Sequence, residues 1–230
     1  MVKNIIISIV VIALVVFAGY KVFGSKSETP SDTVATTTPA VTTTVEKDMY
    51  VVDMSTSTVM WKGSFVSGAK SHTGTIALKS GSGKFENGMI TSGTFVFDMS
   101  SIKESAGSEQ LETHLKSDDF FNVEQFPEAK FELASLVPAK TQDTFTATGK
   151  LTIRDVTKDF TFPIVITVVN NNALKAEGKI TFNRADFNVK YGSSSFFKGL
   201  GDKVIADKID LTLNLITQPI EVSAPPSSVQ

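Results

Sequence analysis

Histidine is the residue type in this sequence best suited to acid–base or metal chemistry, because imidazole titrates near neutral pH. His114 precedes Asp118 by four residues and Asp119 by five, a spacing at which a carboxylate could orient the ring or two side chains could share a metal ion. His72 has no acidic partner at such a spacing. Near the C-terminal end of a polar helix a histidine is usually solvated. We therefore expect neither a catalytic residue nor a metal site.

Other motifs of catalysis and cofactor binding are absent from the chain. Gly81-Ser82-Gly83 lacks the G-x-S-x-G spacing of a nucleophile elbow, and no phosphate-binding loop or H-E-x-x-H occurs. The chain has no cysteine, which excludes disulfides, thiolate nucleophiles and cysteine-ligated zinc. A net charge of -2 supplies no basic field for nucleic acid. We expect a non-enzymatic protein with no cofactor and no nucleic-acid partner.

Apolar and polar residues alternate with a period of two along the central part of the chain, which is typical of strands with one dry face. The alternation is clearest at 209–215, 160–169 and 94–99. It predicts further strands at 49–53, 58–65, 73–79, 130–135, 144–154 and 173–182. Clusters of Gly, Ser and Asn predict turns at 80–83, 86–88 and 170–172.

One stretch departs from this alternation. Ser108–Lys116 contains good helix formers and places Leu111 and Leu115 on one side, so it predicts a short helix. About eight strands joined by short connections predict an all-β fold, an antiparallel barrel or sandwich.

The N-terminal residues predict a membrane segment. Residues 5–20 are sixteen residues without a charge, and a helix continued to Phe23 would span roughly 28 Å, close to the thickness of the hydrocarbon core. We expect residues 1–23 to hold a transmembrane helix with its anchor at 5–23; a signal sequence cleaved near Val16-Phe17-Ala18 is the alternative. The first reading places the remaining chain on the outer, periplasmic or cell-surface side of a membrane, and the second makes it a secreted protein.

Two further stretches have the composition of disordered chain. Residues 24–46 hold eight Thr, three Ser and two Pro, and so little apolar surface predicts a tether with a relaxed reach of roughly 25 Å. Residues 218–230 are rich in Pro and Ser and predict a frayed tail. A single folded domain is expected at 47–217.

Three segments of that domain resemble the signature of the YceI-like family of bacterial envelope lipid-binding proteins. They are His114–Phe131 (HLKSDDFFNVEQFPEAKF), Gly149–Lys158 (GKLTIRDVTK) and Asn183–Asn188 (NRADFN). Their order and separations also agree, so the resemblance covers about residues 50–216.

This resemblance implies a lipocalin-like antiparallel β-barrel that holds a polyisoprenoid, or a similar long-chain lipid, in an apolar pore. Alternation alone does not distinguish a barrel filled by side chains from one left open for a ligand. With the resemblance, we expect these apolar residues to line a pore: Phe95, Phe97, Phe131, Leu133, Phe145, Leu151, Ile153, Phe160, Phe162, Ile164, Phe182, Leu211 and Leu213.

A polar lipid headgroup would be recognised by a cation at the mouth of the barrel. The candidates are Arg154, Arg184, Lys158 and Lys190. The two arginines could instead form structural ion pairs with Asp155 or Asp186.

Asp155 and Asn188 stand where the family commonly has glycine, and both residue types tolerate left-handed backbone. Three functions stay open. The first is a non-catalytic, membrane-tethered lipid carrier; the second is a filled barrel that serves as an envelope interaction or stress-response module; the third is an enzyme that uses His114 with Asp118 or Asp119. The sequence determines neither the ligand nor whether the protein is a homodimer.

Overall fold

The computed structural model describes residues 49–218, apart from residue 69 and residues 87–88. Within this part the chain forms one α-helix and nine strands: β1 (Met49–Val51), β2 (Thr58–Ser64), β3 (Ser71–Glu86), β4 (Met89–Glu104), α1 (Glu109–Lys116), β5 (Glu128–Pro138), β6 (Thr144–Ile153), β7 (Val156–Val168), β8 (Leu174–Asn183) and β9 (Lys208–Ile216). The predicted anchor, tether and tail residues 219–230 lie outside the described residues. No helix of the described part is long and apolar enough to cross a membrane.

Strands β2 to β9 close into an antiparallel barrel of eight strands. Consecutive strands pair in order, and β9 pairs back onto β2 from Thr58↔Asn214 to Lys62↔Asp210. β1 lies along the second half of β3, and Val52 after it forms a bridge with Thr217. The predicted all-β antiparallel barrel with one short helix is confirmed.

The alternating pattern places apolar side chains inside this barrel. On β5, for example, Phe131 and Leu133 are buried, while the side chains of Lys130 and Glu132 form an ion pair on the outer face. The inward residues of all eight strands build one hydrophobic cluster. A period-two pattern therefore becomes a dry interior because successive side chains of a strand point to opposite faces.

The short helix α1 lies over one end of the barrel. It begins where predicted, with Ser108 as the N-cap, whose Oγ accepts a hydrogen bond from the Leu111 N–H at 3.3 Å. We call this end of the barrel the helix side, and the opposite end, at the β3–β4 and β5–β6 connections, the far side.

The predicted turn at 80–83 is wrong, because β3 runs straight through this stretch. Its glycines serve close packing instead of a turn. A Cβ on Gly81 would lie 2.7 Å from the Val52 side chain, and one on Gly83 would collide with the Tyr50 ring and the Ser92 carbonyl oxygen. Strand β1 can approach β3 only because these positions carry no side chain.

We expect Gly83→Ala to lower the free energy of unfolding by about 1–3 kcal/mol, since the added methyl group must displace Tyr50 or backbone. The matched control is Gly63→Ala, whose Cβ would meet its nearest neighbour, the Ile209 Cδ1, at an ordinary 3.5 Å. Urea unfolding of the two variants measures the difference. Equal stabilities would show that β1 does not pack as closely as described.

Pairing in the barrel is shortest between β7 and β8. The two strands pair only over Val165–Val168 and Leu174–Glu177, near the far side. Pro163, which has no N–H to donate, stands just beyond the point where this pairing stops.

Candidate functional site

The barrel interior contains two neighbouring cavities. The helix-side cavity has a volume of about 350 Å³ and is bounded by α1, the β2–β3 hairpin and the segment that follows β8. The far cavity has a volume of about 100 Å³ and lies toward the opposite end. Phe97, Leu151 and Leu211 line both cavities, so these three side chains form the constriction between them.

All the residues predicted to line the pore, except Phe145, line one of these cavities. The helix-side cavity includes Ile153 and Phe182, the constriction holds Phe97, Leu151 and Leu211, and the far cavity includes Phe95, Phe131, Leu133, Phe160, Phe162, Ile164 and Leu213. Phe145 packs at the edge of the hydrophobic cluster instead. Contact of any of these residues with a lipid stays a prediction.

Polar side chains are distributed unevenly along this interior. The far cavity is bounded by apolar residues and only Tyr50 and Thr217 among polar ones. The helix-side cavity is bounded by Trp61, Ser64, His72, His114, Arg184 and Tyr191 as well as apolar residues. A ligand with one apolar and one polar end would therefore be matched in one orientation, with its polar end at the helix side.

Trp61 is a polar group of the cavity that the sequence did not indicate. Its Nε1 is buried and has no hydrogen-bond partner within the described residues. A buried donor left without an acceptor costs about 1–3 kcal/mol. This edge of the indole packs on β3, where a Cβ on Gly74 would lie 2.5 Å from the Trp61 Cζ2. Its place on β2 with Val59 and Gly63 follows the alternation, so an inward position could have been inferred from the pattern.

Arg184 is a headgroup candidate that lines the helix-side cavity, and its side chain is 1% exposed. The guanidinium nevertheless binds its own chain: Nε donates to the Ala206 carbonyl at 3.1 Å, Nη1 to Val189 at 2.9 Å and Nη2 to Ile205 at 3.1 Å. Its Nη2 also lies 3.3 Å from the Asp207 carboxylate. Burial lowers the pKa of Arg184, and Asp207 opposes that shift. The side chain therefore joins the start of the segment between β8 and β9 to its middle and its end.

The expected partner of Arg184 and the two lysines proposed for a headgroup lie away from the cavity. Asp186 is exposed and does not pair with Arg184. Lys158 and Lys190 are exposed and line neither cavity; the Lys190 Nζ lies 5.1 Å above the ring of Phe196.

Arg154 also differs from its expected role. Its Nη1 donates to the carbonyls of Phe120 and Asn188, each at 2.9 Å, and it pairs with no carboxylate in the part of the chain described here. Asn188 has the left-handed backbone that a glycine position requires. In the β6–β7 turn, however, the left-handed residue is Arg154, with φ 56, and not Asp155. Arg154 therefore joins two loops beside the cavity rather than facing it.

Two buried glutamates fasten α1 over the helix-side cavity. Glu112 accepts from Lys103 Nζ at 2.8 Å and from the Glu104 N–H at 3.0 Å. Glu104 accepts from the Ala106 and Ser108 N–H groups, at 2.8 and 3.2 Å. The bond from Lys103 lowers the pKa of Glu112, and the backbone bond from Ser108 lowers that of Glu104.

A lowered carboxyl pKa gives stability that is present above the unfolded-state value and is lost as the pH falls. We therefore expect the free energy of unfolding to decrease as the pH drops below 4.5, the ordinary glutamate pKa, and Glu112→Gln to flatten this dependence. Glu109→Gln, at an exposed position of the same helix, is the control and should follow the parent profile. An unchanged profile in Glu112→Gln would contradict the role of this carboxylate. The midpoints of urea unfolding at neutral and acid pH measure how stability depends on pH in each variant.

His114 forms its side-chain contact with Asp119, at 3.2 Å, and not with Asp118. Its ring lies edge-on to Phe120 and Tyr191, with centroids 5.0 and 4.6 Å away. The His114 ring and these aromatic residues form part of the cavity wall. Over residues 49–218 as described, no group of three or more histidines and carboxylates is placed to hold a metal ion.

Similar proteins were found among both curated sequences and solved structures. UPF0312 proteins of Photorhabdus laumondii and Pseudomonas savastanoi are each 33% identical, over 112 and 119 residues. These matches cover 46% and 43% of this chain and 52% and 59% of the relatives, so the chain spans about half the length of the curated relatives it matches.

Two solved structures share the fold. BcnA of Burkholderia cenocepacia aligns with a TM-score of 0.59 at 20% identity, over 73% of this chain and 99% of that one. A polyisoprenoid binding domain from Saccharophagus degradans, implicated in plant cell wall breakdown, aligns with a TM-score of 0.60 at 12% identity, over 74% and 98%.

The family model of the YceI-like domain matches residues 50–217, from β1 to the end of β9. This range contains the closed sheet, the helix and both cavities. The chain therefore belongs to the YceI-like family.

Proposed function

We propose that this barrel binds one long-chain amphiphilic lipid, of the polyisoprenoid class, without catalysing a reaction on it. The observation that carries the proposal is the uneven polarity of the interior, which is almost wholly apolar on the far side and carries most of its polar side chains on the helix side. The solved polyisoprenoid binding domain of the same fold supports the chemical class of the ligand.

Cavity size is compatible with a ligand of this kind. The helix-side cavity, at about 350 Å³, lies in the range of about 300–1,000 Å³ that is usual for small-molecule sites. A tail would gain roughly 25 cal/mol for each Å² of apolar surface removed from water, less the cost of ordering it. No directional bond is needed along the tail, so affinity should rise with its length.

The constriction limits how far affinity can rise with the length of the tail. A tail that occupies only the helix-side cavity stops at Phe97, Leu151 and Leu211, whereas a longer tail must move these side chains to enter the far cavity. The far half is also nearly filled by aromatic contacts, such as Phe131 with Phe162 at 5.4 Å between ring centroids. That filling favours the second candidate, a barrel that acts as an envelope interaction or stress-response module without a lipid.

We further propose that the barrel is held outside the cytoplasm by residues 5–23 through the tether at 24–46. The support is the apolar sequence of the first segment and the composition of the second. Release by cleavage of a signal sequence is the alternative, and the mass of the protein isolated from its host distinguishes the two.

Calorimetric titration of residues 46–230, which contain the barrel, tests lipid binding. We expect polyprenols to bind more tightly as isoprene units are added, up to a limiting length.

Squalene, which has no polar end, is the matched probe and should bind more weakly than a polyprenol of similar length. No heat from any polyprenol would contradict lipid binding and favour the filled-barrel alternative.

A further inference from the structure

Aromatic side chains are exposed at the helix side of the barrel, in residues 190–204, which we call the mouth loop. Phe196 and Phe197 are 45% and 48% exposed, and Tyr191 is 42% exposed. Val66, which is 64% exposed at the tip of the neighbouring hairpin, donates its N–H to the Val204 carbonyl at 2.9 Å. Single exposed apolar residues are ordinary, but a group of them marks a contact surface.

The structure holds the two phenylalanines outward. Their N–H groups both donate to the carbonyl of Ser193, at 3.2 and 3.0 Å, and Ser193 is fully buried. Ser195 Oγ donates to the Asp207 carboxylate at 2.6 Å, which ties the same turn to the barrel. Both rings are therefore exposed on an anchored turn.

The mouth loop carries a net positive charge of its own. The mouth loop contains Lys190, Lys198 and Lys203 against a single acidic residue, Asp202. Among the residues that the structure describes, none of the three lysines forms an ion pair. Aromatic rings flanked by lysines match a membrane interface, where the rings enter the acyl boundary and the cations meet anionic headgroups.

We propose that the mouth loop docks on the surface of an anionic lipid bilayer, with Phe196 and Phe197 inserted. The inference stands on the loop alone and does not require the cavity to hold a lipid. Docking would place the helix-side cavity against the membrane, where a lipid would enter or leave.

The length of the chain before β1 allows this arrangement. β1 begins near the far side, where Met49 pairs with Lys84, so a membrane anchor would have to reach past the whole barrel. Residues 24–48 extend to at most about 80–90 Å, whereas the longest strand, β3 with 16 residues, measures roughly 50 Å.

The absence of cysteine makes a label test direct, since a single introduced cysteine is the only site of reaction. We would label Ser194→Cys, an exposed position in the mouth loop, with a fluorophore in the full chain reconstituted into vesicles that carry a doxyl-lipid quencher. Thr141→Cys, exposed on the far side, is the matched control. We expect quenching of the Ser194 label in vesicles containing phosphatidylglycerol, little in pure phosphatidylcholine, and none of the Thr141 label in either.

Two double variants test whether the lysines and the phenylalanines of the mouth loop cause the docking. Lys198→Gln with Lys203→Gln should lower the ratio of docked to undocked protein about fivefold per lysine. Phe196→Ser with Phe197→Ser should remove the quenching altogether. Equal quenching of the Ser194 and Thr141 labels would overturn the proposal. Equal quenching of the Ser194 label with and without phosphatidylglycerol would overturn it as well.

If the fluorescence of the Ser194 label changes with protein concentration in the absence of vesicles, the mouth loop contacts a second copy of the chain. That result would also overturn the proposal. Polyprenol titration measures cavity binding separately. A failure of docking is therefore distinguishable from a failure of lipid binding.

Discussion

Ala129→Phe is expected to abolish lipid binding while the barrel stays folded. Ala129 is 6% exposed, lies on β5 opposite Phe97 and lines the helix-side cavity. A phenylalanine ring there would occupy the space assigned to the lipid tail. We expect affinity for a polyprenol to fall by at least about tenfold, the equivalent of roughly 1.4 kcal/mol. The chain has one tryptophan, Trp61 in the same cavity wall, so its fluorescence reports binding.

The matched control is Ala134→Phe, at an exposed position where β5 has a bulge between Leu133 and Ser135. It adds the same ring outside the barrel and should bind polyprenol as the parent does. Overpacking at Ala129 should cost about 1–3 kcal/mol of stability, which urea unfolding would detect without loss of the fold. Unchanged affinity in a folded Ala129→Phe protein would show that the lipid does not occupy this cavity.

Arg184→Met should be the most destabilising single change, lowering the free energy of unfolding by about 3–5 kcal/mol. The substitution keeps the aliphatic stem but removes donors from three backbone carbonyls and leaves the Asp207 carboxylate without its cation. We expect the segment between β8 and β9 to become protease-sensitive, since these bonds hold its two ends together. Thermal and urea unfolding measure the loss.

Lys158→Met removes a cation at an exposed position and should change stability by less than about 0.5 kcal/mol. Arg184 was also a candidate to bind a headgroup, and the two roles give different results. A stable Arg184→Met protein with weakened polyprenyl phosphate binding and normal polyprenol binding would contradict the structural role and favour the headgroup role.

The sequence predicted the elements that depend on neighbouring residues. The strand alternation and the helix at Ser108–Lys116 are confirmed, because side-chain direction in a strand and helix capping are both local properties. The inward face followed from the same alternation, which is why nearly all of the predicted pore residues line a cavity. Phe145 lies on the same face of β6 as Leu151 but at the far-side end of the strand. Alternation gives the face of a residue and not its position along the barrel.

Features that depend on distant residues could not be predicted in this way. The stretch 80–83 resembles a turn by composition, and only the packing of Tyr50 and Val52 against it explains its glycines. The partner of Arg184 is Asp207, which lies 23 positions away. The volume of the interior was equally hidden, because a filled barrel and an open barrel have the same alternation.

Native mass spectrometry of residues 46–230, purified without detergent from the protein's own host, tests most directly whether the barrel holds a lipid. We expect one long-chain isoprenoid per chain, lost in Ala129→Phe and kept in Ala134→Phe. A ligand-free mass that persists after polyprenols are added would contradict lipid binding and leave the filled-barrel interaction module as the better account of this fold.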